Sequence, residues 1–324
     1  MFTRQLGRSH ITVSALGLGC WAIGGPFWRG DRPVGWGEVN DAQSLAALER
    51  ALELGVTFFD TSDVYGCGHS ERILGQALQG KRDQVVIATK FGNIFEEQTR
   101  QITGFSGEPN FIRSACEASL RRLNTDYIDL YQFHIGDYAL EKADAVLETL
   151  ERLVEEGKIR AYGWSTDDPE RAAFFAQGAH CAAIQQRFNL FEGNTEVLAI
   201  CEENNLASIN RGPLAMGLLT GKFTHASTLP ANDVRHGWDL QGGEQANRLE
   251  RLAKLREILT SDGRTLAQAA LGWLWARSPV TLPIPGFKTI AQVEENVGAL
   301  TYGPLGSQQM AALKGETLNV KRKT

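Results

Sequence analysis

Four side chains that can carry or transfer a proton stand near the ends of successive apolar runs. Asp60 closes the first run and Tyr65 follows in the same short loop, while Lys90 and His134 close the next two runs. A phenol has an ordinary pKa of about 10, and a nearby ammonium is expected to lower it while a carboxylate holds that ammonium charged. A neutral imidazole beside them can orient a carbonyl oxygen. Together these groups predict protonation of a carbonyl oxygen while hydride reaches its carbon.

Each of the four residues also has an ordinary structural interpretation when it is taken alone. Asp60 could cap a helix or lie in a turn, and Tyr65 could pack at the edge of a core. Lys90 could extend its ammonium into solvent from the end of a strand, and His134 could be a hydrogen-bonded core residue. Only their joint position at successive strand ends favours chemistry.

The elements that must position these side chains alternate between short apolar runs and helical patterns. The predicted strands span Ala15–Gly19, Val56–Asp60, Val85–Lys90, Ile128–His134, Ile159–Ser165, Ala183–Gln186, Ala207–Asn210 and Thr281–Ile284. The predicted helices span Asp41–Leu54, Ser70–Leu78, Pro109–Leu123, Asp144–Glu156, Pro169–Ala176, Glu196–Asn204, Thr265–Ala276 and Thr289–Leu300. Strands that are apolar throughout are typical of parallel strands buried on both faces. Eight such units predict an α/β fold, the (β/α)₈ TIM barrel, with its functional residues at the carboxyl ends of the strands.

The chain has 324 residues, more than the roughly 250 that such a barrel needs. The surplus is expected in an N-terminal β-hairpin, Phe2–Ser14, and in the long segments Gly24–Val39, Gly92–Glu108 and Lys222–Gly243. The last two segments are rich in polar residues and glycine, which predicts long loops at the C-terminal face. No linker interrupts the pattern, so we expect one domain over residues 1–324.

Composition and charge narrow the class of protein. The chain is 43% apolar and 22% charged, with a net charge of −5 and no long basic run. This balance indicates an ordinary globular protein and argues against nucleic acid or a membrane as a partner. Five scattered cysteines without a C-x-x-C pair argue against disulfides or structural zinc and favour a reducing, cytoplasmic location. Six widely spread histidines predict no metal site and argue against a metal-dependent hydrolase.

The stretch GLGCWA, residues 17–22, fits the dinucleotide-binding pattern G-x-G-x-x-[GA]. That pattern requires a helix to begin at its glycines, so that the helix N-terminus faces a pyrophosphate. The residues that follow, IGGPFWRGDRPVGWG, are too rich in glycine and proline to form a helix. We therefore reject a Rossmann interpretation, which leaves open that a nucleotide binds in another way.

Several motifs, taken in order, resemble the aldo-keto reductase superfamily. They are DTSDVYGCGHSERILGQAL, ATKFG, DLYQFH, GWST, RGPLAMGLLTGKF and PIPGFKTIAQVEEN. The resemblance covers most of the chain, from the N-terminal hairpin to Asn296. It implies a (β/α)₈ barrel that reduces aldehydes and ketones with NADPH/NADP+ as cofactor and without a metal. It also implies that Tyr65 is the general acid, that Lys90 and Asp60 tune it, and that His134 orients the carbonyl.

The resemblance also implies a set of cofactor-binding residues. Ser165 and Gln185 match residues that hold the nicotinamide carboxamide, and Thr166 replaces the usual asparagine. Arg211 stands where many members carry an aromatic side chain, and its guanidinium could stack there or reach the substrate. Lys288 matches a residue that binds the 2′-phosphate, which favours NADPH over NADH. The full set is Gly19, Cys20, Trp21, Asp60, Ser165, Thr166, Gln185, Arg211, Gly212, Pro213, Leu214, Gly217, Leu218, Gly286, Lys288, Thr289, Gln292, Glu295 and Asn296.

The substrate pocket is expected to have aromatic walls around a polar centre. Trp21, Trp28 and Phe91 are predicted to line it, and an inward-pointing Arg211 would favour an anionic group on the substrate. The sequence therefore predicts an NADPH-dependent reductase whose partner is a small-molecule carbonyl. The oligomeric state is open, a homo-oligomer included. The alternative function is an NADPH-binding regulatory or sensor subunit that resembles the potassium-channel β subunits.

Overall fold

The computed structural model describes residues 2–314 and has a ring of eight parallel strands at its centre. With all strands numbered in chain order, the ring contains β3 (Leu18–Gly19), β6 (Phe58–Asp60), β7 (Val86–Phe91), β10 (Ile128–Phe133), β11 (Ile159–Ser165), β12 (Cys181–Arg187), β13 (Ala207–Arg211) and β14 (Thr281–Pro283). Hydrogen bonds of 3.0 Å from Gly17 N to Pro283 O and from Gly19 N to Pro285 O join the first strand to the last. The predicted (β/α)₈ barrel is confirmed. The predicted domain, residues 1–324, includes Met1 and residues 315–324, which lie outside the described residues.

Helices surround the ring and follow its strands. They are α1 (Asp41–Glu53), α2 (His69–Ala77), α3 (Pro109–Leu123), α4 (Ala143–Glu155), α5 (Pro169–Phe175), α6 (Thr195–Glu203), α7 (Gly243–Leu259), α8 (Leu266–Arg277), α9 (Ile290–Tyr302) and α10 (Ser307–Ala312). The sequence analysis missed α7 and α10, although α7 carries a buried stripe of Leu249, Leu252, Leu255 and Leu259 at helical spacing. Among residues 2–314, every helix is too short or too polar to span a membrane.

The lower half of the barrel is filled with apolar side chains. Side chains alternate between the inside and the outside along each strand, and Phe58, Ala88 and Leu130 belong to one interior cluster. The N-terminal hairpin, β1 (Thr3–Gln5) with β2 (Thr12–Ser14), closes the floor and contributes its own apolar residues to that cluster, namely Leu6, Ile11 and Val13. The predicted hairpin is therefore present and has a clear packing role.

A second, four-stranded sheet lies beside the mouth of the barrel. It consists of β4 (Trp28–Arg29), β5 (Arg32–Pro33), β8 (Asn93–Glu96) and β9 (Gln101–Phe105). The prediction of a loop over Gly92–Glu108 is wrong, because β8 and β9 pair as an antiparallel hairpin there. Its side chains Phe95 and Ile102 pack, as Tyr65 does, against a small cluster formed by Phe27, Val64 and Cys67. The loop prediction for Lys222–Gly243 holds up to residue 242, since no helix or strand occurs there.

We expect the barrel floor to contribute strongly to stability. Leu6 is fully buried, so Leu6→Ala should lower the free energy of unfolding by about 2–5 kcal/mol through lost burial and a residual cavity. Ile94 is 38% exposed and provides the control; Ile94→Ala should change stability by about 0.5 kcal/mol or less. Denaturant unfolding measures both values, and equal losses would contradict a packed floor.

Candidate active site

The centre of the site is an ion pair inside the carboxyl end of the barrel. Lys90 Nζ lies 2.5 Å from Asp60 Oδ1, and the two side chains are 0% and 1% exposed. The ammonium also donates to Thr61 O at 2.8 Å and to Tyr65 Oη at 3.2 Å. Burial alone would lower the pKa of Lys90, but Asp60 and Tyr65 outweigh it and raise that pKa above its ordinary value. Lys90 is therefore charged and fixed beside the phenol.

Two glutamines complete the polar layer around Asp60. Oδ2 of Asp60 accepts a hydrogen bond from Gln132 Nε2 at 3.0 Å and another from Gln185 Nε2 at 2.8 Å. A buried carboxylate is tolerated when it is paired and its remaining lone pairs are hydrogen-bonded. The sequence analysis missed Gln132, although it lies two positions after the inward-facing Leu130 and so shares its face of the strand. Gln185 was predicted as a cofactor contact, and its amide nitrogen donates to Asp60 Oδ2 and to Gln132 Oε1 inside the barrel.

Tyr65 is half-buried between two rings. Trp21 stacks on it with centroids 5.9 Å apart, and His134 meets it edge to face at 6.0 Å. Burial raises the pKa of Tyr65, Lys90 opposes that effect and Asp60 adds to it. The expectation that Lys90 would bring this pKa below its ordinary value is wrong, because burial outweighs the ammonium. The phenol is therefore protonated at neutral pH, as a proton donor must be.

His134 follows β10 directly and stands half-buried at the mouth of the barrel. Burial lowers its pKa well below the ordinary value, and the positive charges of Lys90, Arg211 and Arg29 lower it further. The imidazole is therefore neutral at pH 7. Its Nδ1 lies 3.3 Å from Ser62 Oγ, while Nε2 makes no hydrogen bond to any of residues 2–314. The structure thus brings all four predicted catalytic residues into one cluster.

The residues predicted to contact the nicotinamide differ in whether their polar groups already have partners within the described residues. Ser165 ends β11, and its hydroxyl makes no hydrogen bond within the described residues. Thr166 donates to Gly136 O at 2.8 Å and accepts from Asp168 N at 3.2 Å. The Thr166 hydroxyl is therefore hydrogen-bonded within its own loop, and its contact with the cofactor stays a prediction. Arg211 is half-buried at the end of β13 and forms an ion pair with Asp167.

Two predicted site residues face away from the mouth. Phe91 is fully buried and stacks on Tyr131 with centroids 4.4 Å apart. It follows the inward-facing Lys90, so the alternation of the strand turns it outward to the helices. Cys20 is also fully buried in the outer core, and its backbone N–H and C=O are both hydrogen-bonded to neighbouring elements. Phe91 is therefore not a pocket residue, and Cys20 is not a cofactor contact.

The remaining aromatic residues of the predicted pocket lie at the mouth. Trp21 donates from Nε1 to Val34 O at 3.0 Å and meets Trp36 edge to face at 5.2 Å. Trp28 is half-buried on β4, in the sheet beside the mouth. Trp21 therefore provides apolar surface next to Tyr65, as expected for a small-molecule site, and Trp28 lies in the adjoining sheet.

Three cations gather where the segment before α7 approaches the start of α9. Lys288 Nζ donates to the carbonyl oxygens of Trp36 at 2.7 Å and Glu38 at 3.1 Å. Arg235 pairs with Asp233 at 2.7 Å and packs its guanidinium 4.5 Å over the ring of Trp36. Burial lowers the pKa of Lys222, with repulsion from Arg235 adding to the effect. Lys222 and Arg235 are absent from the predicted cofactor site, although Lys222 lies in the RGPLAMGLLTGKF motif that carries part of the resemblance.

The chain before Lys222 has an unusual backbone conformation. Ala215, Met216 and Gly217 have φ angles of +48°, +54° and +98°, a region in which side-chain-bearing residues are strained and cluster at functional sites. Successive turns of this kind can direct backbone N–H groups towards an anion; the N–H groups of Ala215 and Gly217 donate within the segment, to Gly212 O and Leu214 O at 2.9 Å each. Leu214 and Leu218 are buried in the core, so any contact of these two residues with a cofactor would be through backbone groups.

The start of α9 forms the far corner of the same rim. Thr289 caps the helix by accepting from Gln292 N at 3.3 Å, and Gln292 Oε1 accepts from Lys288 N at 2.7 Å. Asn296 Nδ2 donates to Gly286 O at 3.3 Å. Within residues 2–314, no group of three or more His, Cys, Asp or Glu side chains is arranged to hold a metal ion. The rim therefore combines cations, a helix N-terminus and amide groups, which suit a phosphorylated ligand.

The chain is similar over most of its length to proteins of one family. The sequence model of the Aldo/keto reductase family matches residues 15–316. Aldo-keto reductase yakc of Schizosaccharomyces pombe, whose name specifies NADP(+), is 33% identical over 308 residues, covering 92% of this chain and 86% of that protein. The uncharacterized oxidoreductase YqkF of Bacillus subtilis is 32% identical over 322 residues, covering 98% and 97%.

Solved structures give the same result. A glycerol dehydrogenase from Gluconobacter oxydans has a TM-score of 0.83 at 30% identity, covering 97% of this chain and 94% of that one. The holo form of an aldo-keto reductase from Bacillus halodurans has a TM-score of 0.81 at 30% identity, covering 98% and 97%. An aldo-keto reductase from Klebsiella pneumoniae in complex with NADP and acetate has a TM-score of 0.72 at 30% identity, covering 99% and 97%.

The buried ion pair should behave as one unit in unfolding experiments. Lys90→Met leaves Asp60 buried without its counter-charge and should lower the free energy of unfolding by about 3–5 kcal/mol. Adding Asp60→Asn should restore most of that loss, because no unpaired charge then remains in the barrel. Denaturant unfolding of the wild type, both single variants and the double variant gives the coupling energy. Simple additivity of the two losses would contradict the pairing.

Proposed function

This chain belongs to the aldo/keto reductase family, and we propose that it reduces an aldehyde or ketone to an alcohol with NADPH, taking the proton from Tyr65. One observation carries the assignment of Tyr65. A buried, charged Lys90 is held by Asp60 and donates to the phenol oxygen at 3.2 Å. A charge in that position stabilises the phenolate that proton donation leaves behind.

The described residues fit a nicotinamide cofactor with a 2′-phosphate. Ser165 and the oxygen of Gln185 would hold the nicotinamide end, and the turn at residues 215–217 would face the pyrophosphate. Lys222, Arg235 and Lys288 supply the positive charge that the 2′-phosphate requires. Gly212, Pro213 and Thr289 border the same rim, and Glu295 and Asn296 of α9 would contact the adenosine. When bound, NADPH supplies the hydride.

The chain's own residues provide the other half of the reaction. His134 is neutral, so its free Nε2 can donate a hydrogen bond to the substrate carbonyl oxygen when it carries the ring proton. Tyr65 then transfers its proton to that oxygen as negative charge develops there. The phenolate is stabilised by Lys90, whose charge stays fixed by Asp60 throughout. Trp21 stacks on one face of the Tyr65 ring and helps to fix its position.

The proposed partner is a small-molecule carbonyl compound that fits the apolar surface of Trp21 and Trp28. Arg211 lies near enough to Tyr65 and His134 to influence both pKa values, which supports a role beside the nicotinamide or beside a polar substrate group. A net charge of −5 and five free, buried cysteines support a cytoplasmic location without nucleic acid as a partner. A homo-oligomer is compatible with these observations.

Removal of the Tyr65 hydroxyl should abolish most turnover. With an activated aromatic aldehyde, Tyr65→Phe should lower the rate of NADPH oxidation by about 10²–10⁴-fold, the range typical of a general acid. Binding of NADPH, followed by its fluorescence, should remain intact. Tyr302→Phe changes a 40% exposed tyrosine and should have wild-type activity. A wild-type protein that binds NADPH but reduces no aldehyde or ketone would contradict the proposal and favour the regulatory or sensor subunit.

Lys288 should discriminate between the two nicotinamide cofactors. Loss of a charge-assisted hydrogen bond costs about 1.5–3 kcal/mol, so Lys288→Ala should raise the KM for NADPH at least about tenfold. The KM for NADH should stay within about twofold, because NADH lacks the 2′-phosphate. Lys254→Ala, on the exposed face of α7, serves as the control. An equal rise for both cofactors would instead mean that Lys288 only anchors the Trp36–Glu38 segment.

A further inference from the structure

A short chain of hydrogen bonds behind His134 ends at a second buried carboxyl group. His134 Nδ1 lies 3.3 Å from Ser62 Oγ, and Ser62 Oγ lies 3.1 Å from Asp63 Oδ1. Ser62 and Asp63 are 0% and 2% exposed. The reaction described above uses neither residue. Their position directly behind the imidazole raises the question of how they affect it.

The hydroxyl of Ser62 can form hydrogen bonds with Asp63 and His134 in only two arrangements. It has one hydrogen and two lone pairs, and one lone pair accepts the Val64 N–H at 3.4 Å. The hydrogen and the second lone pair must therefore be divided between Asp63 and His134. Whichever neighbour receives the hydrogen, the other neighbour must donate to Ser62.

These two arrangements correspond to different tautomers of His134. An ionised Asp63 can only accept, so Ser62 donates to it and His134 must donate from Nδ1, which leaves Nε2 with a lone pair. A protonated Asp63 can donate to Ser62, which then donates to Nδ1 and leaves the ring proton on Nε2. Only the second arrangement gives His134 a donor to offer to a carbonyl oxygen.

We propose that Asp63 is a positioning residue that selects the tautomer of His134 through Ser62, and that carbonyl reduction requires Asp63 in its protonated form. The proposal rests on the function proposed above for this site. Asp63 itself touches neither substrate nor cofactor. Its effect reaches the reaction only through the direction of two hydrogen bonds.

The surroundings of Asp63 favour the protonated form. Burial raises the pKa of Asp63 to about 8 and Glu71 on α2 adds to that effect, while Arg122 on α3 and the hydrogen bonds from the Ser62 hydroxyl and the Val64 N–H oppose it. The other titratable groups close to it are Tyr131 on β10 and Cys67 in the same loop. The charged groups that face His134 are Lys90, Arg29 and Arg211.

The direction of the pH effect follows from these groups. The protonated fraction of Asp63 falls as pH rises through about 8, so the productive tautomer of His134 is lost on the alkaline side. The kcat/KM for a non-ionisable aldehyde at saturating NADPH should fall about tenfold between pH 7 and pH 9, as for one group titrating near 8. Tyr65 has a pKa above its ordinary value and titrates at higher pH.

Asp63→Asn tests the proposal because its amide can donate to Ser62 and does not titrate. The variant should keep activity at pH 7 within about threefold of the wild type and lose less than about twofold between pH 7 and pH 9. Asp144→Asn, at an exposed position on α4, should keep the wild-type pH profile. An unchanged alkaline loss in Asp63→Asn, or inactivity of the folded variant at every pH, would overturn the proposal.

The tautomer can also be observed directly in the wild-type protein. Nitrogen-15 NMR of labelled histidine, assigned with His134→Gln, should place the ring proton on Nε2 at pH 7 and on Nδ1 at pH 9. A proton on Nδ1 at pH 7, or no change between the two pH values, would overturn the proposal. This measurement needs neither turnover nor a folded Asp63 variant. Absence of turnover at every pH would count against the proposed function instead.

Discussion

An ammonium and a carboxylate 2.5 Å apart, closed off from water inside a barrel, form the interaction on which the site depends. Burial of either ion alone would cost several kcal/mol. The carbonyl oxygen of Thr61 accepts a second hydrogen bond from the ammonium, and the amides of Gln132 and Gln185 donate to the second oxygen of the carboxylate. Two N–H groups of the ammonium donate to Asp60 and Thr61, so the third N–H is left to donate to the phenol oxygen of Tyr65. The proton donor is therefore placed and stabilised by the same pair.

The fold provides the conditions that this pair needs. Parallel strands pair Lys90 with Gln132 and Asp60 with Ala88, so that the side chains of Asp60, Lys90 and Gln132 meet at the carboxyl end of the barrel. Below them the hairpin and the apolar interior exclude water. Beside them, the four-stranded sheet packs against the same small cluster as Tyr65. Each surrounding element thus limits the access of water to the ion pair, and low local polarity strengthens its electrostatic effect.

The sequence made the barrel and its four central residues predictable because their signals are local. Uniformly apolar runs end at Asp60, Lys90 and His134, and parallel topology places those ends together. Gln132 could also have been predicted, because side chains alternate along a strand and Gln132 must point to the inside of the barrel as Leu130 does. The same period shows why Phe91 was misplaced, as the immediate neighbour of an inward residue points outward.

Features that depend on distant contacts were not predictable in this way. The strand Gln101–Phe105 pairs with Asn93–Glu96 and also contacts Trp28, far away in the chain. The net pKa of Tyr65 depends on how deeply other segments bury it, which no local pattern reports. Lys222 and Arg235 became candidate phosphate ligands only when the fold brought their segment next to Lys288.

Titration of the Tyr65 phenol tests the central claim most directly. Protein labelled with carbon-13 at the tyrosine Cζ position, with Tyr65 assigned from the Tyr65→Phe spectrum, reports its ionisation by NMR. Burial outweighs the ammonium, so Tyr65 should keep its proton beyond pH of about 10, the ordinary value for tyrosine. Replacement of Lys90 by methionine should move the titration to still higher pH, because the ammonium favours the phenolate. A phenolate already present near pH 8, or a titration that does not respond to Lys90, would contradict the account.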